Sequence, residues 1–143
     1  MDKIIRDILL KAKRVAVLGL SPKEDRPSYR VAEYLMAHGY EIIPVNPNCA
    51  EALGRKCYKS LSDVHGEVDV VDIFRRPEEV LAVVKEAAKI KAKAVWMQEG
   101  IINEDAAKIA KEAGMDVVMD RCMLKEHMTM EAENGRRGET ERF

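Results

Sequence analysis

The stretch V-A-V-L-G-L-S-P-K-E-D-R-P-S-Y-R, Val15 to Arg30, runs from a strand of the buried type through Gly19 into a polar loop that opens a helix. It is the front half of a nucleotide-binding unit. The first backbone N–H groups of a helix have no partner inside it and carry the positive end of its dipole, so such a junction attracts phosphate. No second or third glycine follows Gly19 at the spacing G-x-G-x-x-G, so the dinucleotide fingerprint is not met. Lys23 and Arg26 in this longer loop suit a different phosphorylated ligand.

On the N-terminal side, Ile4, Ile5, Ile8 and Leu9 form one stripe of a short helix over residues 2–12. Strand one is Arg14 to Leu20. Ser28 can cap the next helix, whose Val31, Leu35 and Met36 face inward and which stops at Gly39. Strand two is Tyr40 to Asn46, ended by Pro47. Residues 48–66 are less regular, with a turn at Leu53-Gly54, a short edge strand from Lys56 to Tyr58 and a helical turn begun by Ser60.

Val68 to Phe74 is the next apolar strand, and Pro77-Glu78-Glu79 supply the first turn of a helix that buries Val80, Val83, Val84 and Ala87. Ala94 to Met97 is a further strand; Asn103 caps a helix from Glu104 to Ala113 that Gly114 ends, and Asp116 to Met119 is the last strand. Strands separated by helices require crossover connections, which are right-handed in a parallel sheet. The class is a three-layer, Rossmann-like α/β fold, a mostly parallel sheet flanked by helices. A single domain is expected over residues 1–133, with 134–143 as a flexible tail.

At 143 residues the chain can bury roughly two-thirds of its unfolded surface without disulfide or metal support. Its 24 basic and 25 acidic residues leave a net charge of -1, so no field of one sign marks nucleic acid or an anionic membrane as a partner. Arg6 and Asp7 interrupt the apolar N-terminal run, and no stretch approaches the roughly 20 residues of a membrane span. A soluble, cytoplasmic protein is expected. Cys49, Cys57 and Cys122 are odd in number and include no C-x-x-C pair, which argues against a disulfide framework or a cysteine-only zinc site. Charged residues make up 34% and Gln98 is the only glutamine, a bias that heat-adapted proteins share and that bears on stability alone.

In such a sheet the ligand sits beyond the carboxyl ends of the strands, where strand order reverses. Gly19, Ser21, Arg26 and Ser28 offer a close backbone approach, two hydroxyls and a guanidinium suited to phosphate oxygens. If the first strand pairs beside the Val68 strand, the crevice opens between residues 20–29 and 74–77. Asn46-Pro47 stands where an NAD-binding unit would put an acid for the ribose hydroxyls, which counts against NAD. Phe74 can line a channel or cap the core, and Arg75 and Arg76 beside it can meet a phosphate or be merely solvated. Gln98-Glu99-Gly100 forms a turn that can pass close to a ligand. Cys122 is the one thiol expected on this rim; Arg121 next to it can make it reactive, or, as for most lone cysteines, it is inert. His38, His65 and His127 are too scattered to assemble a zinc site or a Ser-His-Asp arrangement, and no catalytic constellation emerges.

Five motifs in order, V-A-V-L-G-L-S-x-K-x-D-R-P-S-Y-R-V, I-I-P-V-N-P, V-D-I-F-R, W-M-Q-E-G-I-I-N and V-V-M-D-R-C, resemble the stand-alone CoA-binding proteins. These are relatives of the CoA-binding domain of the succinyl-CoA synthetase alpha chain. The resemblance runs from about Ile4 to Leu124. It implies coenzyme A held across the strand ends, with Gly19, Ser21, Arg26, Pro27, Ser28 and Tyr29 forming the nucleotide-side loop, Asn46 and Pro47 flanking it, and Phe74 and Arg75 bordering the ligand opposite. Gln98, Glu99 and Gly100 follow from the synthetase-like E-G-I pattern. The synthetase also needs a domain carrying a phosphorylated histidine, for which this sequence has no room, so the resemblance implies binding of free or acylated CoA without thioester synthesis. Two alternatives stay open, an enzyme acting on CoA thioesters or CoA disulfides through Cys122, and a NAD(P)-binding module. A homodimer or an unknown protein partner is compatible with the sequence.

Overall fold

The computed structural model describes the backbone of residues 1–141 and the side chains of residues 1–135. Five parallel strands form the central sheet: β1 (Arg14–Leu18), β2 (Glu41–Val45), β5 (Val70–Ile73), β6 (Ala94–Met97) and β7 (Asp116–Val118). The spatial order β2-β1-β5-β6-β7 places the reversal between β1 and β5, as the pairing of the first and Val68 strands requires. Between β2 and β5 a small antiparallel hairpin, β3 (Glu51–Ala52) and β4 (Arg55–Lys56), turns at Leu53-Gly54. A single turn at Leu61–Asp63 follows the hairpin.

Both faces of the sheet are covered, so its strands read as continuous apolar runs rather than alternating ones. The pleat still divides them by period two. Val15 and Val17 join the core under α1 (Lys3–Lys11), α2 (Pro27–Ala37) and α5 (Met123–Glu141), whereas Ala16 and Leu18 join the core under α3 (Val80–Lys89) and α4 (Glu104–Glu112). β2 is an edge strand, which lets it carry Pro44 without losing a ladder bond; the Pro44 carbonyl accepts from Tyr58 N–H at 2.9 Å.

Several local expectations shift. Asp2 caps α1, its carboxylate accepting from Ile4 and Ile5 N–H, and Ile4 turns outward while Ile5, Ile8 and Leu9 are buried. Ser28 does not cap α2. Pro27 takes the first helical position, where its fixed φ is preorganised and its missing N–H would have no partner, so Arg26 becomes the cap and Ser28 falls inside. Met36 and Val83 are half-buried. Asn103 caps α4 as expected and also donates to the Pro77 carbonyl at 2.9 Å, tying the starts of the two helices on that face together. The helix α5 passes through the position where a flexible tail was expected to begin, and the end of that tail, residues 142–143, lies outside the described residues. Among the described residues no helix is long and apolar enough to cross a membrane.

Candidate functional site

β1 ends at Leu18, and Gly19 turns away at φ +84° while its N–H donates to the Val45 carbonyl at 2.9 Å. The turn presses the first loop onto the end of β5. A Cβ at Gly19 would lie 2.2 Å from the Phe74 carbonyl oxygen, and Phe74 N–H in turn donates to Leu18 at 2.9 Å. Leu20 is fully buried, and its carbonyl accepts from Asn46 Nδ2 at 3.0 Å, so the end of β2 holds the loop from the other side.

Within the loop, Ser28 Oγ accepts from Ser21 N–H at 3.0 Å and Ser21 Oγ accepts from Lys23 N–H at 3.1 Å. Each hydroxyl spends a lone pair on the backbone, which leaves its O–H as a donor. Both serines line a cleft of about 390 Å³ together with Gly19, Lys23, Arg26, Pro27 and Phe74. Arg26 stands at the start of α2 without using its side chain as a cap. The cleft is therefore basic and rich in donors.

Pro27 and Phe74 also line a second cleft of about 620 Å³, so the two hollows adjoin at these residues. Val31 and Ile101 give the second cleft apolar wall, Arg75, Arg76 and Lys125 give it charge, and Gln98, Glu99 and Cys122 complete it. Arg76 turns toward Glu78 and Glu79 at 3.7 and 3.3 Å, which spends its charge on the following helical turn. Glu99 receives the Lys125 ammonium at 3.0 Å from both carboxylate oxygens, and this hydrogen bond holds the Lys125 pKa above its ordinary value. Glu99 is thus a partner of Lys125 and not a lone base.

Not every residue read from the motifs reaches these walls. Asn46 turns inward, Nδ2 to Leu20 and Oδ1 accepting from Asn48 N–H at 3.0 Å, and Pro47 follows it on the surface. Tyr29 is half-buried against the core beneath α2. Gly100 faces Asp120, whose carboxylate accepts its N–H at 2.7 Å. These four shape the loops around the clefts and do not line them. Arg121 also departs from expectation: it borders a separate hollow with Asp2, Ile4 and Ile5, and its carbonyl accepts from buried Trp96 Nε1 at 2.8 Å. Lys125, in the first turn of α5, lines the same cleft as Cys122.

Two residues escaped the sequence reading. Lys125 gave no motif signal, but Asp72 did, as the one acid inside the apolar run V-V-D-I. Asp72 is fully buried and accepts from Gln98 Nε2, so it sits directly behind the cleft wall that Gln98 forms. Burial pushes its pKa up to about 7, with the Gln98 hydrogen bond acting in the opposite direction. His127 is buried, its Nδ1 2.8 Å from Tyr34 Oη, and burial lowers its pKa. No group of three His, Cys, Asp or Glu side chains able to hold a metal ion occurs among the described residues.

Residues 13–128 match the family described as the CoA binding domain, and the chain belongs to that family. The uncharacterized protein YneT of Bacillus subtilis (strain 168) is 44% identical over 123 residues, which are 86% of this chain and 91% of that protein. The solved structure of a hypothetical protein from Pyrococcus horikoshii OT3 matches with a TM-score of 0.87 at 44% identity, over 90% of this chain and 91% of that one. The ADP-forming acetate-CoA ligase of Methanocaldococcus jannaschii is 28% identical over 130 residues, 84% of this chain and 18% of the ligase. The chain spans less than a fifth of that ligase's length.

Proposed function

We propose that this chain binds coenzyme A, free or acylated, along the two adjoining clefts and performs no thioester synthesis by itself. The observation that carries the reading is their shared border at Pro27 and Phe74, which joins a basic, hydroxyl-lined arm to a longer one with apolar wall. A diphosphate suits the first arm: Arg26 and Lys23 supply charge, Ser21 and Ser28 supply O–H donors, and the start of α2 adds its dipole. A pantetheine chain, mostly apolar with two amides, suits the second, where Phe74, Val31 and Ile101 offer contact and Gln98 a polar group. The residues present fit the coenzyme. Family membership supports the same ligand.

Calorimetric titration tests this. Coenzyme A should bind saturably, and Arg26→Ala should weaken binding by about 1 to 3 kcal/mol, the range for a charge-assisted contact to phosphate. Absence of saturable binding at millimolar ligand overturns the proposal; unchanged affinity in the variant removes Arg26 from it. NAD should not compete, because Asn46 at the end of β2 uses its side chain on Leu20 and no acid replaces it for the ribose.

The position of Cys122 in the wall of the wider arm favours a second reading, exchange between its thiol and a CoA disulfide. Incubation with oxidised coenzyme A followed by mass spectrometry should then show a coenzyme adduct on Cys122. An unmodified Cys122 rejects that reading and leaves the binding proposal standing.

A further inference from the structure

The hairpin after β2 brings together two thiols that their sequence positions do not pair. Its register is Glu51 with Lys56 and Ala52 with Arg55, and the ladder extends one step as Cys57 N–H donates to the Ala50 carbonyl at 3.0 Å. Cys49 and Cys57 therefore flank the open end of the hairpin. Cys57 donates its S–H to Cys49 Sγ at 3.0 Å, and Cys49 donates to the Glu51 carbonyl at 3.2 Å. The backbone fixes both: Cys49 N–H donates to the Asn46 carbonyl at 3.3 Å, and Tyr58, the residue after Cys57, donates to Pro44 on β2 at 2.9 Å and accepts from Asn46 N–H just beyond it at 2.8 Å. Cys57 is buried and Cys49 half-buried, so Cys49 is the more accessible residue of the two.

We propose that Cys49 and Cys57 form a redox-active dithiol that small disulfides oxidise to an intramolecular disulfide. Cys49, having lost its proton to solvent, attacks one sulfur of the small disulfide; that S–S bond breaks and one thiol departs with a proton. Cys57 then loses its proton and attacks Cys49 Sγ, releasing the second thiol. The dithiol gives up two electrons and two protons, and one small disulfide becomes two thiols. The sulfurs need to close by only about 1 Å to reach bonding distance. Burial, followed by the hydrogen bond to Cys49, pushes the Cys57 thiol up to about 12, so its thiolate is scarce near neutrality and the second step should quicken as pH rises.

The test uses the whole protein and oxidised and reduced glutathione as the probe, with acid quenching, alkylation and peptide mass mapping. Cys49 and Cys57 should leave the alkylated pool together, appear in one cross-linked peptide pair and return on addition of dithiothreitol. Cys122→Ser should behave the same way. Cys57→Ser should stop at the mixed disulfide, raising glutathione on Cys49 by about tenfold or more over the parent. The proposal falls if both thiols stay alkylatable at every glutathione ratio, or if the parent accumulates as much glutathione on Cys49 as Cys57→Ser does. Neither result depends on coenzyme binding.

Discussion

Gly19→Ala is expected to destabilise the protein by at least about 3 kcal/mol, a fall in Tm of roughly 10 °C for a domain of this size, and to abolish the proposed coenzyme binding with it. Two costs add. At φ +84° any side chain is strained, by about 1 to 2 kcal/mol. A methyl group would also lie 2.2 Å from the Phe74 carbonyl oxygen, a backbone atom and not the far end of a flexible side chain, so relief has to move main chain. Relief requires the first loop to lift from β5, and that separates the walls of both clefts. Gly39→Ala is the matched control: its φ is +97°, but nothing lies within 4 Å of the added carbon, so about 1 kcal/mol should be lost. Denaturant unfolding of the two variants decides the matter. Equal, small losses would show that the loop does not rest on Phe74 as described.

The same contact explains why so much of the fold was legible. Strand one had to stop where a glycine could leave the sheet, whereas the β1–β5 pairing that places Phe74 beneath it stood in the sequence only as a condition and is supplied by the structure. Period and punctuation located every strand of the main sheet, although the observed strands end one or two residues inside several of the expected limits. Strand one was read to Leu20 and stops at Leu18, because pairing ceases when the backbone turns. The start of α2 was misread by two residues, Ser28 for Arg26 as the cap, since a serine in a capping position and a proline before it give opposite cues. Proline prevailed, and the serine hydroxyl went to the loop.

The candidate site was legible to the level of loops but not of side chains. Sequence position puts Asn46, Gly100 and Gln98 at strand ends and Arg26 in the loop after the first strand, yet only Gln98 and Arg26 line a cleft. Which way an asparagine points depends on whether a carbonyl such as that of Leu20 lies within reach, a tertiary fact with no periodic signature. Cys49 and Cys57 show the same gap. Their separation in sequence carries no motif, and only the hairpin register brings the sulfurs to 3.0 Å. Asp72 differs, because an acid within an apolar strand is visible as an anomaly, and its consequence can be worked out.

Asp72→Asn is expected to make the protein more stable above neutrality and to flatten its dependence on pH. Asp72 lies on β5 in the middle of the sheet, opposite Val17 and Trp96 in register, and one of its carboxylate oxygens, Oδ2, has no hydrogen-bond partner. Burial moves its pKa from 3.8 to about 7. Between these values the folded protein keeps a proton that the unfolded chain has released, so the unfolded state binds fewer protons and stability falls as pH rises from about 4 to about 7. Three units correspond to roughly 4 kcal/mol, an upper figure because water penetration and relaxation soften the cost of a buried charge. Asparagine keeps the shape and an oxygen for Gln98 Nε2 but never ionises. Urea unfolding should therefore show the variant gaining on the parent by roughly 2 kcal/mol or more between pH 5 and pH 8. A difference that does not change with pH would mean that the carboxylate ionises without penalty and that the interior behind Gln98 is not the dry environment its burial implies.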